Sequence, residues 1–145
     1  MSTYQHIQYI ELPPIPNIIV ENFPKDVTQY NGIVHGSNYK WTDEFTKELN
    51  AWAQKNICST MYWALQFMTA DIAKHKDRDT KIKINYVIDA GGNDVHTQFW
   101  DDADTLINDY VVPVNKWHLF KADTLHSVQG IEQNKSRWAV TGRVF

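Results

Sequence analysis

Six histidines are spread along the chain: His6, His35, His75, His96, His118 and His126. Only His75 is followed two residues later by a carboxylate, Asp77. In extended backbone, residues i and i+2 point to one face, so this pair can grip a metal ion from one side. A third ligand must come from another strand. His126, in the downstream piece Thr-Leu-His-Ser-Val, is available for that position. Two histidines and one carboxylate on one octahedral face leave three positions open. That suits a non-haem Fe(II) that must bind a co-substrate and O2. Arg137 stands eleven residues after His126, far enough for one strand, a turn and entry into a neighbouring strand. There its guanidinium would offer a two-pronged fork to a carboxylate. Triad and fork together are what a 2-oxo-dicarboxylic acid requires, one end on the metal and the other on arginine. Arg143 has the same strand parity and competes for the clamp role. His96-x-Gln98 is a second candidate ligand pair, but Gln poorly replaces a charged carboxylate.

Strands must carry most of these residues. In residues 80–88, Ile82, Ile84, Tyr86 and Ile88 alternate with Lys81, Lys83, Asn85 and Val87, which predicts a strand. Asp89 to Asp94, with Gly91-Gly92, predicts a turn, and residues 95–100 return to make a hairpin. Residues 105–114, 116–121, 124–128 and 136–145 give further short extended pieces. Residues 60–69 fit helix or strand, and their aromatic density favours a strand. The clearest helix is 42–57, where Phe45, Leu49, Trp52, Ala53 and Ile57 recur at helical spacing, with Thr42 or Asp43 as its cap. Residues 6–20 read as two extended pieces around Pro13, Pro14 and Pro16, with helix excluded by the prolines. Residues 21–41 read as loop and turn, with one short strand at Gly32–His35. Frequent turns between short strands indicate a β-sandwich or barrel with at least one helix packed outside.

Composition narrows the competing chemistry. With 145 residues, the chain is expected to form a single domain. Its first part, 1–71, would supply strands and a supporting helix, and 72–145 the metal-binding β core. At 43% hydrophobic residues it can bury a core. Fourteen Lys and Arg against seventeen Asp and Glu exert no general pull on nucleic acid. Cys58 is the one cysteine, so an intrachain disulfide and a cysteine-based zinc site are both excluded. It reads as a small buried hydrophobe. No apolar run suits a signal peptide or a membrane span, so a soluble, cytoplasmic protein is expected. Phosphate-binding glycine loops, the nucleophile elbow and His-Glu-x-x-His are all missing from the sequence.

The sequence resembles the Fe(II)/2-oxoglutarate-dependent dioxygenases, and among them the prolyl-4-hydroxylase-like group. The likeness covers roughly residues 72–145. It rests on His75-x-Asp77, the strand with Tyr86, the Gly91-Gly92 turn, Thr97-Gln98-Phe99, Leu125-His126-Ser127-Val128 and Arg137. It implies a mainly β (α+β) fold, a distorted double-stranded β-helix or jelly roll with supporting helices. His75, Asp77 and His126 would ligate Fe(II), and Arg137 would bind the far carboxylate of 2-oxoglutarate, with Tyr86 sharing it. The implied reaction is hydroxylation of a peptidyl side chain or small molecule, with release of succinate and CO2. Two departures stand out. The loop between Asp77 and the strand at Thr80 is short, and Ala139 stands where some relatives carry Ser, for which Thr141 is a substitute. A non-catalytic jelly-roll binding module and a cupin-like metalloprotein without 2-oxoglutarate are the competing readings.

Overall fold

The computed structural model describes residues 5–23, 34–35, 40–44, 46–78 and 80–143. Eleven strands and two helices run in the order β1 (Ile7–Tyr9), α1 (Asn17–Glu21), β2 (Val34–His35), β3 (Lys40–Glu44), α2 (Lys47–Asn56), β4 (Tyr62–Met68), β5 (Ile72–His75), β6 (Ile82–Asp89), β7 (His96–Trp100), β8 (Leu106–Tyr110), β9 (Trp117–Lys121), β10 (His126–Gln129) and β11 (Arg137–Arg143). Seven strands form one sheet, in the order β1-β9-β6-β11-β4-β3-β2, and four form the other, β5-β10-β7-β8. Every pairing is antiparallel. No helix among the described residues is long and apolar enough to cross a membrane.

The large sheet is covered on both faces. Its outer face carries Trp63, Leu65, Phe67, Tyr86, Trp117, Trp138 and Val140, and packs against Ile15, Ile19, Leu49 and Ala53. Each buried indole there withdraws about 200 Å2 from water, worth ~5 kcal/mol at ~25 cal/mol/Å2 as an upper estimate. Trp63 and Trp117 meet edge-on with ring centroids 5.7 Å apart. Their indole N–H groups donate to the Cys58 and Pro13 carbonyls, so neither polar handle is stranded. The inner face meets the small sheet through a smaller apolar group that includes Val87, Phe99, Phe120 and Ala139.

Several sequence expectations change. Residues 89–94 do not close a hairpin. β6 pairs with β9 and β11, whereas β7 pairs with β8 and β10, so this turn carries the chain from one sheet to the other. The predicted 42–57 helix begins later: residues 40–44 are β3, and Thr46 caps α2 by accepting from the Leu49 N–H at 3.3 Å. Phe45 lies outside the described residues, as does the start of the strand predicted at Gly32–His35. The proline run does not exclude a helix either. Pro16 is the N-cap of α1, a position that needs no hydrogen-bonded N–H. Cys58 is half-buried, with Sγ 3.3 Å from Thr60 Oγ1.

Candidate metal centre

β5 is an edge strand beside β10, and a bulge in it decides which side chain meets His126. The register runs His126↔His75 and Val128↔Ile72, three steps along β5 for two along β10. In an unbulged ladder Lys74 would stand opposite His126. The extra residue re-aims the strand and places His75 there. The two imidazoles approach with centroids 4.3 Å apart. Beyond β5 the chain crosses towards the large sheet, where the Asp77 N–H donates to the Ala122 carbonyl at 2.9 Å, just past β9. Asp77 is thereby held between the sheets.

Asp77 Oδ1 lies 3.2 Å from His75 Nε2 and 3.5 Å from His126 Nε2. Donors in cis positions of an octahedron with ~2.1 Å bonds are about 3 Å apart, so these separations suit one ion touching all three. Both rings are oriented from behind. His75 Nδ1 donates to the Ala73 carbonyl at 2.8 Å, and His126 Nδ1 to the Thr124 carbonyl at 2.6 Å. That backing holds Nε2 forward, as outer partners of metal-binding histidines do. The remaining carboxylate oxygen, Oδ2, accepts from Lys83 Nζ at 2.7 Å.

The protonation states differ across the cluster. The Asp77 carboxylate is itself partly buried, which raises its pKa, but the hydrogen bond with His75 and the Lys83 charge outweigh this and hold it well below the usual range. The hydrogen bond to Asp77 raises His75. Burial lowers His126 to about 4, so it is neutral near pH 7. Its Nδ1 proton is already given to Thr124. Its Nε2 lone pair therefore faces a carboxylate oxygen, an arrangement that a cation between them relieves.

A cavity of about 410 Å3 opens between the sheets at this cluster. Its large-sheet wall consists of the inward rows of four strands: Gln66 and Met68 of β4, Lys83 and Asn85 of β6, His118 and Phe120 of β9, and Arg137, Ala139 and Arg143 of β11. Arg137 is 5% exposed, and burial lowers it to about 10. Among the described residues its guanidinium forms one hydrogen bond, from Nη2 to Thr97 Oγ1 at 3.5 Å, and no carboxylate reaches it. The Asn85 Oδ1 in the same wall is buried without a partner.

So the structure brings His75, Asp77 and His126 together, with Arg137 in the same cavity. It leaves Tyr86 out. Tyr86 is 3% exposed in the outer core, with its ring 4.8 Å from Trp117. The opposite parity of β6 lines the cavity, so Tyr86 cannot share a ligand with Arg137. Arg137 also reaches the site by a different route from the expected one: β10 and β11 lie in different sheets, and the arginine crosses the gap to Thr97 of β7. His96 sits apart, 2.7 Å from Asp94 and 2.6 Å from Asp109. Sequence reasoning missed Lys83 and Asn85, and named Thr97 only as part of the resemblance, without a role at the site. The polar row of β6 was the available signal.

No family model matches the chain, and no curated protein does. Solved structures do. One is an oxidoreductase of the 2OG-Fe(II) oxygenase family from Burkholderia pseudomallei, 8% identical, with TM-score 0.55, over 77% of this chain and 70% of that one. A second is Fe(II)-HppE with alternative substrate (S)-1-HPP, 8% identical, TM-score 0.50, over 85% and 60%. A third is the coconut allergen cocosin, 11% identical, TM-score 0.50, over 92% and 35%. The fold is a cupin-type jelly roll. The chain spans about a third of cocosin and less than two thirds of HppE. An allergen and two iron proteins share this fold, so a functional argument must come from the site itself.

Proposed function

We propose that the protein is an Fe(II)- and 2-oxoglutarate-dependent oxygenase. In this reading His75, Asp77 and His126 hold the metal, and Arg137 binds the far carboxylate of 2-oxoglutarate. The observation that carries it is the neutral His126 Nε2 facing Asp77 Oδ1 at 3.5 Å, with the imidazole proton committed to Thr124. The donor set, two imidazoles and a carboxylate with open positions, is the non-haem iron(II) set rather than a closed structural zinc set.

The position of Arg137 supports the co-substrate. Thr97, which its guanidinium touches, pairs with Val128, two residues beyond His126. At ~3.3 Å per residue that places the guanidinium about 7 Å along the sheet from the metal-facing histidine, a match for a five-carbon dicarboxylate. The buried cation then gains the partner it otherwise lacks. Lys83 holds Asp77 Oδ2 and leaves Oδ1 for the metal. Phe99 and Phe120, with ring centroids 6.1 and 5.3 Å from His126, screen that ligand from water.

Iron would supply the O2 chemistry, and the protein the orientation and shielding. The overall reaction is R–H + O2 + 2-oxoglutarate → R–OH + succinate + CO2, in which one oxygen atom enters the product and the other enters succinate. The test is an anaerobic titration with Fe(II) and 2-oxoglutarate, read by the weak visible charge-transfer band of the chelate. The band is expected in the wild type and lost in His126→Ala. A folded protein that binds Fe(II) yet gives no band at saturating 2-oxoglutarate would instead be a cupin-like metalloprotein. One that binds neither would be a non-catalytic module.

A further inference from the structure

The inner faces of β6 and β9 carry two polar side chains that no neighbour answers. Their ladder sets Asn85 directly opposite His118, and Lys83 opposite Phe120. Asn85 and His118 both line the cavity. Asn85 Oδ1 and His118 Nδ1 are buried without a hydrogen-bond partner. The His118 ring is 2% exposed, and its Nδ1 inclines towards the Lys116 carbonyl without closing a hydrogen bond. A carboxamide offers donors as well as an acceptor whichever way it is turned. Two such groups left unspent side by side in a partly desolvated wall are costly unless a ligand meets them.

Their position says which ligand group that is. Asn85 lies two residues along β6 from Lys83, about 7 Å from the side chain that holds Asp77. On the small sheet, Thr97, which Arg137 touches, is removed from the His126 position by the same two-residue step. The Arg137 charge acts on His118, so these two displacements lead to one end of the cavity. Burial and that charge keep the imidazole neutral near pH 7. An anion between the two reverses the sign. A carboxylate there attracts the guanidinium and also favours the protonated ring. The arginine fork uses only part of the carboxylate's lone pairs and leaves the rest for neighbouring donors.

No group already around His118 plays that part. Tyr9 of β1 stands 6.3 Å away between ring centroids, and burial raises it, so it stays neutral. Lys83 of β6 and Arg143 of β11 are further cations in the wall. Across the cavity are His75 of β5, His126 of β10 and the cations Lys76 and Arg78. Asp77 is the one carboxylate lining the cavity among the described residues, and His75 and Lys83 already share it.

We infer that His118 is a second clamp for the far carboxylate of the co-substrate: with Asn85 it hydrogen-bonds the carboxylate that Arg137 pairs with, and its imidazole takes up a proton from solvent as the dicarboxylate binds. This rests on the oxygenase reading above and deepens it. The protonated state exists only while the dicarboxylate is bound, so affinity falls as pH rises through the bound-state value.

The test is isothermal titration of the anaerobic Fe(II)-loaded protein with 2-oxoglutarate, at pH 6.5 in two buffers of different ionisation enthalpy. The difference counts protons taken up. Loading with Fe(II) first commits His75, Asp77 and His126 before the titration begins. 2-Oxovalerate, which has the same chain without the far carboxylate, is the control for proton changes at the metal end. Uptake of about 0.5 proton or more is expected with 2-oxoglutarate and none with 2-oxovalerate. The Kd for 2-oxoglutarate should rise roughly five- to tenfold from pH 6.5 to 8.0. His118→Gln should abolish the uptake, flatten the pH dependence and weaken binding about tenfold at pH 6.5. Asn85→Ala should weaken binding ~3-fold and keep the uptake, which assigns the proton to the imidazole. Binding of 2-oxoglutarate without proton uptake, equal uptake with 2-oxovalerate, or uptake that persists in His118→Gln would each overturn the inference and leave the oxygenase reading standing. The first two outcomes need no variant to fold. If 2-oxoglutarate does not bind at all, the oxygenase reading fails and this inference with it.

Discussion

Acidification from pH 7.5 to 5.0 should destabilise this protein through two buried histidines. His118 is 2% exposed, and burial together with the nearby Arg137 charge lowers it to about 4. His126 is 5% exposed, and burial also lowers it to about 4. In the unfolded chain both return to ~6.5. Between those values the unfolded state binds more protons than the folded one, so stability falls as pH falls. From pH 7.5 to 5.0 each histidine should remove about 2 kcal/mol, and the pair about 4 kcal/mol. That is a large share of the ~5–15 kcal/mol typical of a domain. His75 acts with the opposite sign. Its pKa is raised, so its contribution grows as pH falls towards ~6.5 and is constant below that. Asp77, held low, gives up its contribution only below ~3.9, outside this window. The assay is urea unfolding of metal-free protein in chelator at pH 5.0, 6.0 and 7.5, followed by tryptophan fluorescence. His118→Gln should halve the pH dependence, whatever it does to stability at pH 7.5. A wild-type difference under ~1 kcal/mol, or an undiminished dependence in His118→Gln, would refute the reasoning.

Arg137→Met removes a buried cation that has no carboxylate partner, so the melting temperature should hold or rise. Affinity for 2-oxoglutarate in the same variant should fall about 100-fold, as measured by the anaerobic titration. Wild-type protein with Fe(II) at 100 times its Kd should gain ~2.7 kcal/mol, and His126→Ala should gain nothing measurable by thermal unfolding. Fe(II) affinity should weaken as pH drops through the raised His75 value, because the metal must displace the proton held between His75 and Asp77. Gly142→Ala drives a methyl group into the ring of fully buried Trp63 and should cost ~1–3 kcal/mol in urea unfolding.

The grouping of His75, Asp77 and His126 was legible because two of its members are close in sequence and the third is the histidine eleven residues before an arginine. Strand spans were legible too: alternation located β6, and turn signals between short extended pieces located β7, β9 and β11, to within a few residues. Two determinants of the site were not. The β5 bulge that sets His75 opposite His126 leaves no mark in residues 72–75, since it is a property of the pairing and not of either strand. The inward face of β6 was also hidden. Alternation groups Ile84 with Tyr86, and Lys83 with Asn85, but does not say which group faces the second sheet. Apolar rows usually point to the core, which makes Tyr86 the natural cavity residue and Lys83 a solvent one. β6 reverses this because it is an inner strand, flanked by β9 and β11 and covered on both faces. Its apolar row fills the larger core against the helices. Its polar row is left to line the space between the sheets, where Lys83 meets Asp77. A lysine on an inner strand covered on both sides has no water to reach, so a buried anion must be there to meet it. The topology that places β6 inside the sheet thus turns an ordinary alternating strand into the wall of the candidate site.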